Sequence, residues 1–361
     1  MKALLTAGGR ATRLRPITHS INKHLIPLVD RPMLVHAIEK IKECGITEIG
    51  INVNSGEVEI LEVLGDGSAW GVKLTYLEQK GGPQGLAHII RNASDWLGNE
   101  PFLFYLGDNI ILGSIKPLVD RFLREDLDCL LALAKVDDPQ RFGVPVLNNG
   151  RITRVIEKPA DPPSDYAVTG IYLYRPIIQE AVRDLQPSAR GEYEISDAHT
   201  WLIHRGYQVG YEEVTGWWKD TGKPEDLIVG NGLLLDQIPH SEIAPDAVIE
   251  EGAVIEGNVL IKSGAIIGKG SRIIGPVSIG ERCEIRESEI GPHVSLGKET
   301  RVHGMRIRES LIMDGCFLDR GPDMELSILG RRVQASPKSD TEEKRTSFLL
   351  GDKTVITWNN Q

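Results

Sequence analysis

IAPDAV IEEGAV IEGNVL IKSGAI IGKGSR IIGPVS IGERCE I, residues 243–285, decides the architecture of the last third of this chain. Isoleucine opens every block, at Ile243, Ile249, Ile255, Ile261, Ile267, Ile273, Ile279 and Ile285. A small or branched residue tends to follow four positions later, as Ala247, Ala253, Val259, Ala265, Ser271, Val277 and Cys283. After Ile285 the register slips by one residue, and Ile290, Leu296 and Val302 continue the series. A strict period of six marks a parallel β-helix, in which each inward aliphatic side chain stacks on the one a full coil away. Each coil buries its apolar face only against its neighbours.

Upstream of residue 240 the rhythm changes. Residues 3–6, 48–53, 72–77, 102–106, 129–133 and 151–156 read as strands, and 32–43, 86–97 and 114–124 as helices. Leu34, Val35, Ile38 and Ile41 stand at helical spacing in the first of these helices. Alternating strands and helices predict an α/β fold with a doubly wound, mostly parallel sheet. In such sheets ligands bind beyond the carboxyl ends of the strands. Downstream, residues 336–347 are polar, and 348–358 have strand-like content around Gly351-Asp352. Three regions are therefore expected: 1–239, an α/β domain; 240–335, the β-helix; and 336–361, a polar loop with a strand-like tail.

The 361 residues carry a formal net charge of −10. An acidic chain is poorly suited to nucleic acid, whose binding comes mainly from neutralising phosphates, yet a few local cations suffice for a small phosphorylated substrate. Cys44, Cys129, Cys283 and Cys316 are far apart and form no C-x-x-C pair, which fits a reducing compartment better than a disulfide framework or a zinc site. The apolar start is too short for a secretory signal, and no stretch approaches a membrane span. A cytoplasmic protein without nucleic-acid or membrane partners is expected.

The strongest local signal is AGGRATRLRP, residues 7–16, with Lys23 ten residues past Arg13. A glycine pair ends a strand and lets backbone approach a ligand closely. Successive amide groups there can cradle phosphate oxygens, and Arg10, Arg13, Arg15 and Lys23 add positive charge. The segment is neither a P-loop nor a G-x-G-x-x-G turn, and taken alone it also reads as a tight turn with solvated arginines. Asp108 follows a buried strand, and Asp220 lies in WWKDTG, residues 217–222. Two carboxylates at sheet edges can hold Mg²⁺, which takes oxygen ligands and keeps waters and phosphates in its shell; each alone also reads as an ordinary turn aspartate. Glu157 and Lys158 could meet sugar hydroxyls and a phosphate, or form a surface ion pair before Pro159. Arg190, ahead of a helix beginning near Ser196, could bind phosphate or be solvated.

Taken in order, the motifs GGxxTRLxP, GLAH (85–88), LGDN (106–109), FGV (142–144), EKP (157–159), VTGIY (168–172), RGEYEISD (190–197) and WWKDTGKPEDL (217–227) resemble the sugar nucleotidyltransferase family, in particular its glucose-1-phosphate thymidylyltransferases of the long form with a β-helix appended. The resemblance spans essentially the whole chain. It implies a Rossmann-like catalytic fold, and the likeness of residues 243–285 to the hexapeptide-transferase repeat implies a left-handed coil, against the usual crossover hand. It implies that Gly8, Gly9, Thr12 and Arg13 wrap a triphosphate and that Lys23 meets phosphates at the reaction centre. Gln79 and Gly85 would read the base. Gly143, Glu157 and Val168, Thr169 and Gly170 would line the sugar site. Lys158 and Arg190 would hold the sugar phosphate beside Trp218, and Asp108 and Asp220 would ligate Mg²⁺. Two departures stand out: Ala11 replaces the family's usual glycine, and the segment from Gln79 to Gly85 is one residue longer.

The implied reaction joins dTTP and glucose 1-phosphate and releases pyrophosphate, with Arg13, Lys23 and Asp108 as catalytic residues, and a homo-oligomer is expected. UTP or another sugar 1-phosphate is the alternative. A β-helix can also carry acyltransferase chemistry, for which His240, His293 and His303 are the candidate bases, although solvated coil corners are their ordinary reading. A non-catalytic sensor of the same fold would have no need of both Asp108 and Asp220. The expected role of the β-helix is support, since every candidate chemical motif precedes residue 230.

Overall fold

The computed structural model describes residues 1–9 and 11–336. In chain order the elements up to the repeat are β1 (Lys2–Thr6), β2 (Pro27–Leu28), β3 (Arg31–Pro32), α1 (Met33–Glu43), β4 (Glu48–Val53), α2 (Glu59–Leu64), β5 (Lys73–Glu78), α3 (Leu86–Leu97), β6 (Phe102–Leu106) and β7 (Asn109–Ile111). They continue with α4 (Lys116–Arg124), β8 (Cys129–Lys135), β9 (Gly143–Asn148), β10 (Arg151–Glu157), β11 (Tyr166–Tyr174), α5 (Ile178–Asp184), α6 (Ile195–His204), β12 (Val209–Glu213), β13 (Trp218–Asp220) and α7 (Pro224–Asp236). The chain divides into two compact units, 1–9 with 34–220, and 11–33 with 221–336.

In the first unit a seven-stranded sheet runs β12-β8-β11-β6-β1-β4-β5. Strand β1 pairs in parallel with β4 and β6, and β4 with β5. Only β11 runs antiparallel, to both β6 and β8. The mostly parallel sheet expected from the sequence is thus present. Its central strands carry consecutive apolar residues, Ala3, Leu4 and Leu5 beside Leu103, Phe104 and Tyr105, because a parallel sheet is covered on both faces. Helix α3 buries Ala87, Ile90, Ala93 and Leu97, one stripe at steps of three and four. Each large aliphatic side chain buried this way contributes about 1.5–3 kcal/mol. Thr6 lies opposite both Leu106 and Asn52, and Asn52 opposite Leu77. The chain therefore leaves β1, β4, β5 and β6 at one carboxyl edge.

In the second unit the repeat forms three parallel sheets, so the expected β-helix is present. Ile243 pairs with Ile261 and Ile261 with Ile279, a coil of eighteen residues. Ile285 pairs with Val302 and Ile273 with Ile290, a coil of seventeen, which is the slip visible in the sequence. The inward series from Ile261 to Val302 is buried, as are the partners Val259, Ala265, Val277 and Cys283. The first coil differs. Ile243 is 45% and Ile249 39% exposed, because a stacking residue in the first coil has a neighbouring coil on one side only. Residues 337–361 lie outside the described residues, and with them most of the expected tail.

Helix α7 binds this unit together. The buried Asn231 accepts from the Val29 amide and from the Ser295 hydroxyl, each at 2.8 Å. Leu235 and Ile238 pack with Leu260, and Asn258 donates to the Ile238 carbonyl at 2.9 Å. The sequence boundary near 239 marks where the repeat begins. The compact division runs elsewhere, because the segment 11–33 and α7 pack with the coils.

Candidate active site

The loop after β1 is fixed by an asparagine on the neighbouring strand's exit. Asn54 Oδ1 accepts from the Gly9 amide at 3.1 Å, and its Nδ2 donates to the Gly9 carbonyl at 3.2 Å. Gly9 has φ of +112°, a conformation that favours glycine. A methyl group on Gly8 would lie 3.2 Å from Asn54 Oδ1, 3.3 Å from Asn52 Nδ2 and 3.5 Å from Gln79 Oε1. Gly8, Asn52, Asn54 and Gln79 thus form one cluster at the sheet edge. Gln79 is buried, its amide donating to the Val53 carbonyl at 2.9 Å. Between Gln79 and Gly85 the chain makes a glycine turn, Gly81 and Gly82 having φ of +80° and +78°. At Gly85 the backbone of Tyr193 comes so near that a Cβ would sit 2.6 Å from its carbonyl oxygen.

Asn52 Nδ2 is buried and has no hydrogen-bond partner among the described residues. Leaving such a donor unmatched costs roughly 1–3 kcal/mol, and a ligand carbonyl beside Gly8 would satisfy it. Sequence reasoning passes over Asn52 and Asn54, although a signal for them exists. Asparagine is depleted in strands, yet Asn52 interrupts the apolar run of β4 before Val53, and Asn54 recurs two residues later, on the same side by alternation.

Two aspartates lie near each other along the backbone at the same edge. Asp108 follows β6 directly, and the Gly107 amide is held by the Thr6 carbonyl and hydroxyl, each at 3.1 Å. Strand β13 pairs antiparallel with β7, with Asp220 opposite Asn109. Asp220 therefore lies across the ladder from the residue next to Asp108, where facing Cα atoms are about 4.5–5.5 Å apart. Both carboxylates are half-buried. Among the described residues no group of three or more His, Cys, Asp or Glu side chains gathers for a metal. Two hard oxygen donors suit a Mg²⁺ ion whose other positions are filled by phosphate and water. Trp218 lies on the Asp220 face of β13, since side chains alternate. Its ring meets Phe142 edge-on at 5.5 Å, and its buried Nε1 has no partner among the described residues.

The residues expected around the sugar also converge. Glu157 pairs with Gly143 across β9 and β10. Ser196 donates to Glu157 Oε2 at 2.7 Å, and a Cβ on Gly143 would sit 2.7 Å from that hydroxyl. Lys158 Nζ lies 3.4 Å from Glu157 Oε1. Arg190 is engaged by carboxylates, Glu192 at 2.9 Å, Glu194 at 3.0 Å and Glu157 at 3.9 Å. Burial opposes its charge, and these carboxylates outweigh that and raise the guanidinium pKa. Burial, with Glu194 and Glu157 nearby, raises the pKa of Asp197. Arg190 thus anchors an acidic cluster, and Lys158 is the more exposed cation. Strand β11 loses its register between Val168 and Tyr172. There the Thr169 hydroxyl turns inward to the Ala132 carbonyl at 3.0 Å, while Gly170, at φ +82°, leaves room for Asn109 and Leu106. The bulge therefore braces the acidic turn.

The second unit carries the remaining candidates. Thr12 and Arg13 are exposed on a 3₁₀ turn, Thr12–Leu14, anchored by the buried Leu14. Ala11 precedes it at φ 42°, ψ 41°, so alanine adopts the left-handed conformation that glycine takes at less expense. The Thr18 hydroxyl holds the Ala11 carbonyl at 2.8 Å. Lys23 is buried at the start of a turn, Lys23–Leu25, capped by Asn22, which accepts from the His24 amide at 2.9 Å. On the coils, His293 bonds Asp236 at 2.9 Å and His303 bonds Asp319 at 2.8 Å, whereas His240 is exposed beside Glu242.

Residues 2–237 match the family model described as nucleotidyl transferase. A glucose-1-phosphate thymidylyltransferase of Streptomyces griseus is 38% identical over 353 residues, 98% of either chain. The low-salt glycan biosynthesis nucleotidyltransferase Agl11 of Haloferax volcanii is 37% identical over 361 residues, 99% of either chain. A solved structure from Bacillus anthracis, assigned as a glucose-1-phosphate thymidylyltransferase and in complex with a sucrose, superposes with a TM-score of 0.61 at 41% identity. It covers 64% of this chain and 94% of its own.

Proposed function

The chain belongs to the nucleotidyl transferase family, and on that premise we propose that it transfers the thymidylyl group of dTTP to glucose 1-phosphate. The products are dTDP-glucose and pyrophosphate. The observation that supports the reading is the ladder of β7 and β13, in which Asp220 faces Asn109, the neighbour of Asp108, at the edge where the Gly8-Gly9 loop leaves β1.

A phosphate oxygen of glucose 1-phosphate attacks the α-phosphorus, and the bond from that phosphorus to the bridging oxygen breaks. The electron pair leaves with pyrophosphate. A phosphomonoester has its second pKa at about 6, so the nucleophile is already largely dianionic at neutral pH and needs no general base. The obstacle is repulsion between anions. Gly8, Gly9, Thr12 and Arg13 wrap the triphosphate, and Lys23 takes phosphate oxygens at the reacting centre, as the motif resemblance implies. Holding both substrates in line supplies much of the rate. Mg²⁺, held by the carboxylates of Asp108 and Asp220, would contribute charge neutralisation at the phosphate oxygens. Asn52 and Gln79 suit a pyrimidine edge, which presents amide-like donors and acceptors. Glu157, oriented by Ser196, accepts from sugar hydroxyls; Lys158 meets the sugar phosphate, with Gly143, Val168 and Trp218 around it.

Residues 1–239 form the catalytic region in this reading, and 240–335 serve support and homo-oligomer contacts, for which the exposed Ile243, Val248 and Ile249 offer apolar surface. No helix among the described residues is long and apolar enough to cross a membrane. All four cysteines are free, which supports a cytoplasmic setting. Phosphorus-31 NMR of a mixture of protein, dTTP, glucose 1-phosphate and Mg²⁺ tests the proposal. Pyrophosphate and a sugar-diphosphate signal should grow in equal amounts and stop on chelation. Free phosphate in place of pyrophosphate would refute it.

A further inference from the structure

We infer that Lys262, on the β-helix, is a positioning residue for the phosphate-binding segment, acting through Asp30. The inference rests on the proposed nucleotidyl transfer and concerns only the second unit.

Lys23 leads within a few residues into the hairpin of β2 and β3. The tip of that hairpin is a strained point. Val29 has φ of 61°, a conformation that β-branched residues rarely adopt. Such strain, of order 1–3 kcal/mol, persists only where surrounding contacts impose it. Two contacts do so here. The Val29 amide donates to Asn231 Oδ1 at 2.8 Å, and Ser295 of the coils donates to the same oxygen. Lys262 Nζ lies 2.8 Å from Asp30 Oδ2, while Arg31 Nε donates to Asp30 Oδ1 at 2.8 Å. The Asp30 side chain is only 11% exposed. Burial alone would raise its pKa, and the bonds from Arg31 and Lys262 more than reverse this, so the carboxyl stays ionised.

The hairpin passes this restraint to Lys23 through backbone. The Met33 amide donates to the Ile26 carbonyl at 3.0 Å, and the Ile26 amide to the Lys23 carbonyl at 3.1 Å. Leu28 and Met33 are buried, so the hairpin has little freedom to absorb a shift at its tip. A coil residue far along the chain therefore sets the backbone that presents Lys23. That gives the β-helix a part in transfer that the distribution of motifs along the sequence does not suggest.

The test compares Lys262→Met, which keeps the stem and removes the charge, with Lys262→Arg, which keeps the pair, in the full chain. In Lys262→Met kcat should fall roughly tenfold, since small misplacements of a reacting group are expensive, while KM for glucose 1-phosphate stays within about twofold. Lys262→Arg should restore most of the rate. Hydrogen exchange in peptides covering 11–33 should quicken in Lys262→Met, a readout that needs no turnover. If Lys262→Met is unstable, Ser295→Ala, which removes one of the two bonds on Asn231, gives the same signs in smaller amount. Unchanged kcat with unchanged exchange over 11–33 would overturn the inference. So would a fall in melting temperature with kcat intact. If the wild-type chain releases no pyrophosphate, the functional reading fails by itself, and the exchange measurement still decides the tether.

Discussion

The sheet edge of the first unit and the coils of the second treat polar groups in opposite ways. At the edge, Asn52 Nδ2, Asn109 Oδ1 and Trp218 Nε1 are buried without partners among the described residues. On the coils, charged side chains pair from one coil to the next, Arg272 with Glu256 at 2.9 Å and Arg282 with Glu299 at 2.6 Å, and Arg286 reaches over Gly268 to Glu250, two coils away, at 3.0 Å. Among the described residues of the coils, Ser278 is the one buried side chain without a partner. The exposed pairs contribute little each, because water and salt screen them. The contrast teaches where to look for chemistry. A repeat is stable when its groups are satisfied within itself, whereas a site keeps groups that await a ligand.

The sharpest way to break this contrast is at the acidic pair. Asp108→Asn and Asp220→Asn should each lower kcat by about a thousandfold, judged by the loss of a preorganised charge partner. Groups that act as a unit are non-additive, so the double variant should be little worse than either single one. Losses that multiply would mean the two carboxylates act apart.

Paired asparagines give the next comparison. Asn52→Leu removes an orphan, so stability should hold or rise while KM for the nucleotide rises roughly tenfold. Asn231→Leu strips Val29 and Ser295 of their shared acceptor, so unfolding stability should fall by about 1–3 kcal/mol. Denaturant melts and substrate titrations on both variants would show opposite patterns. A loss of stability in Asn52→Leu without a change in nucleotide KM would remove Asn52 from the site.

Within the coils, position along the stack should set the effect. Leu318→Ala, at a fully buried position, should cost about 2–5 kcal/mol with kcat unchanged at permissive temperature. Ile243→Ala, at a 45% exposed position in the first coil, should cost well under half of that. Equal losses in calorimetry would mean that something covers the first coil in solution. The smallest effect belongs to Ala11→Gly. Relief of a left-handed alanine, about 1–2 kcal/mol, is largely offset by glycine's extra entropy in the unfolded chain. A shift in melting temperature of more than several degrees would mean that the turn is not where the strain lies.

Much of this molecule is legible in its sequence because local pattern encodes it. The period of six announces the coils and even their shortening at Ile285, where the register falls from eighteen residues to seventeen. The ends of apolar runs mark Gly8 and Asp108 as edge residues. Less legible are relations between residues distant in sequence. Nothing local ties Asp30 to Lys262 or Val29 to Asn231, because a buried bond across such separations depends on tertiary packing. Arg190 reads as a phosphate ligand from its charge; Glu192 and Glu194 stand two and four residues along the chain, and only the fold adds Glu157 and turns all three toward the guanidinium. The short helix α2 escapes because Glu59–Leu64 is too brief to show a period.

The central claim is that this sheet edge catalyses nucleotidyl transfer to a sugar 1-phosphate. Steady-state pyrophosphate release tests it most directly, with dTTP, UTP and the other nucleoside triphosphates each paired with glucose 1-phosphate and Mg²⁺. Release should require both substrates, run with highest kcat/KM on dTTP, and be nearly lost in Asp108→Asn. Release that proceeds without the sugar 1-phosphate, or that survives in Asp108→Asn, would contradict it.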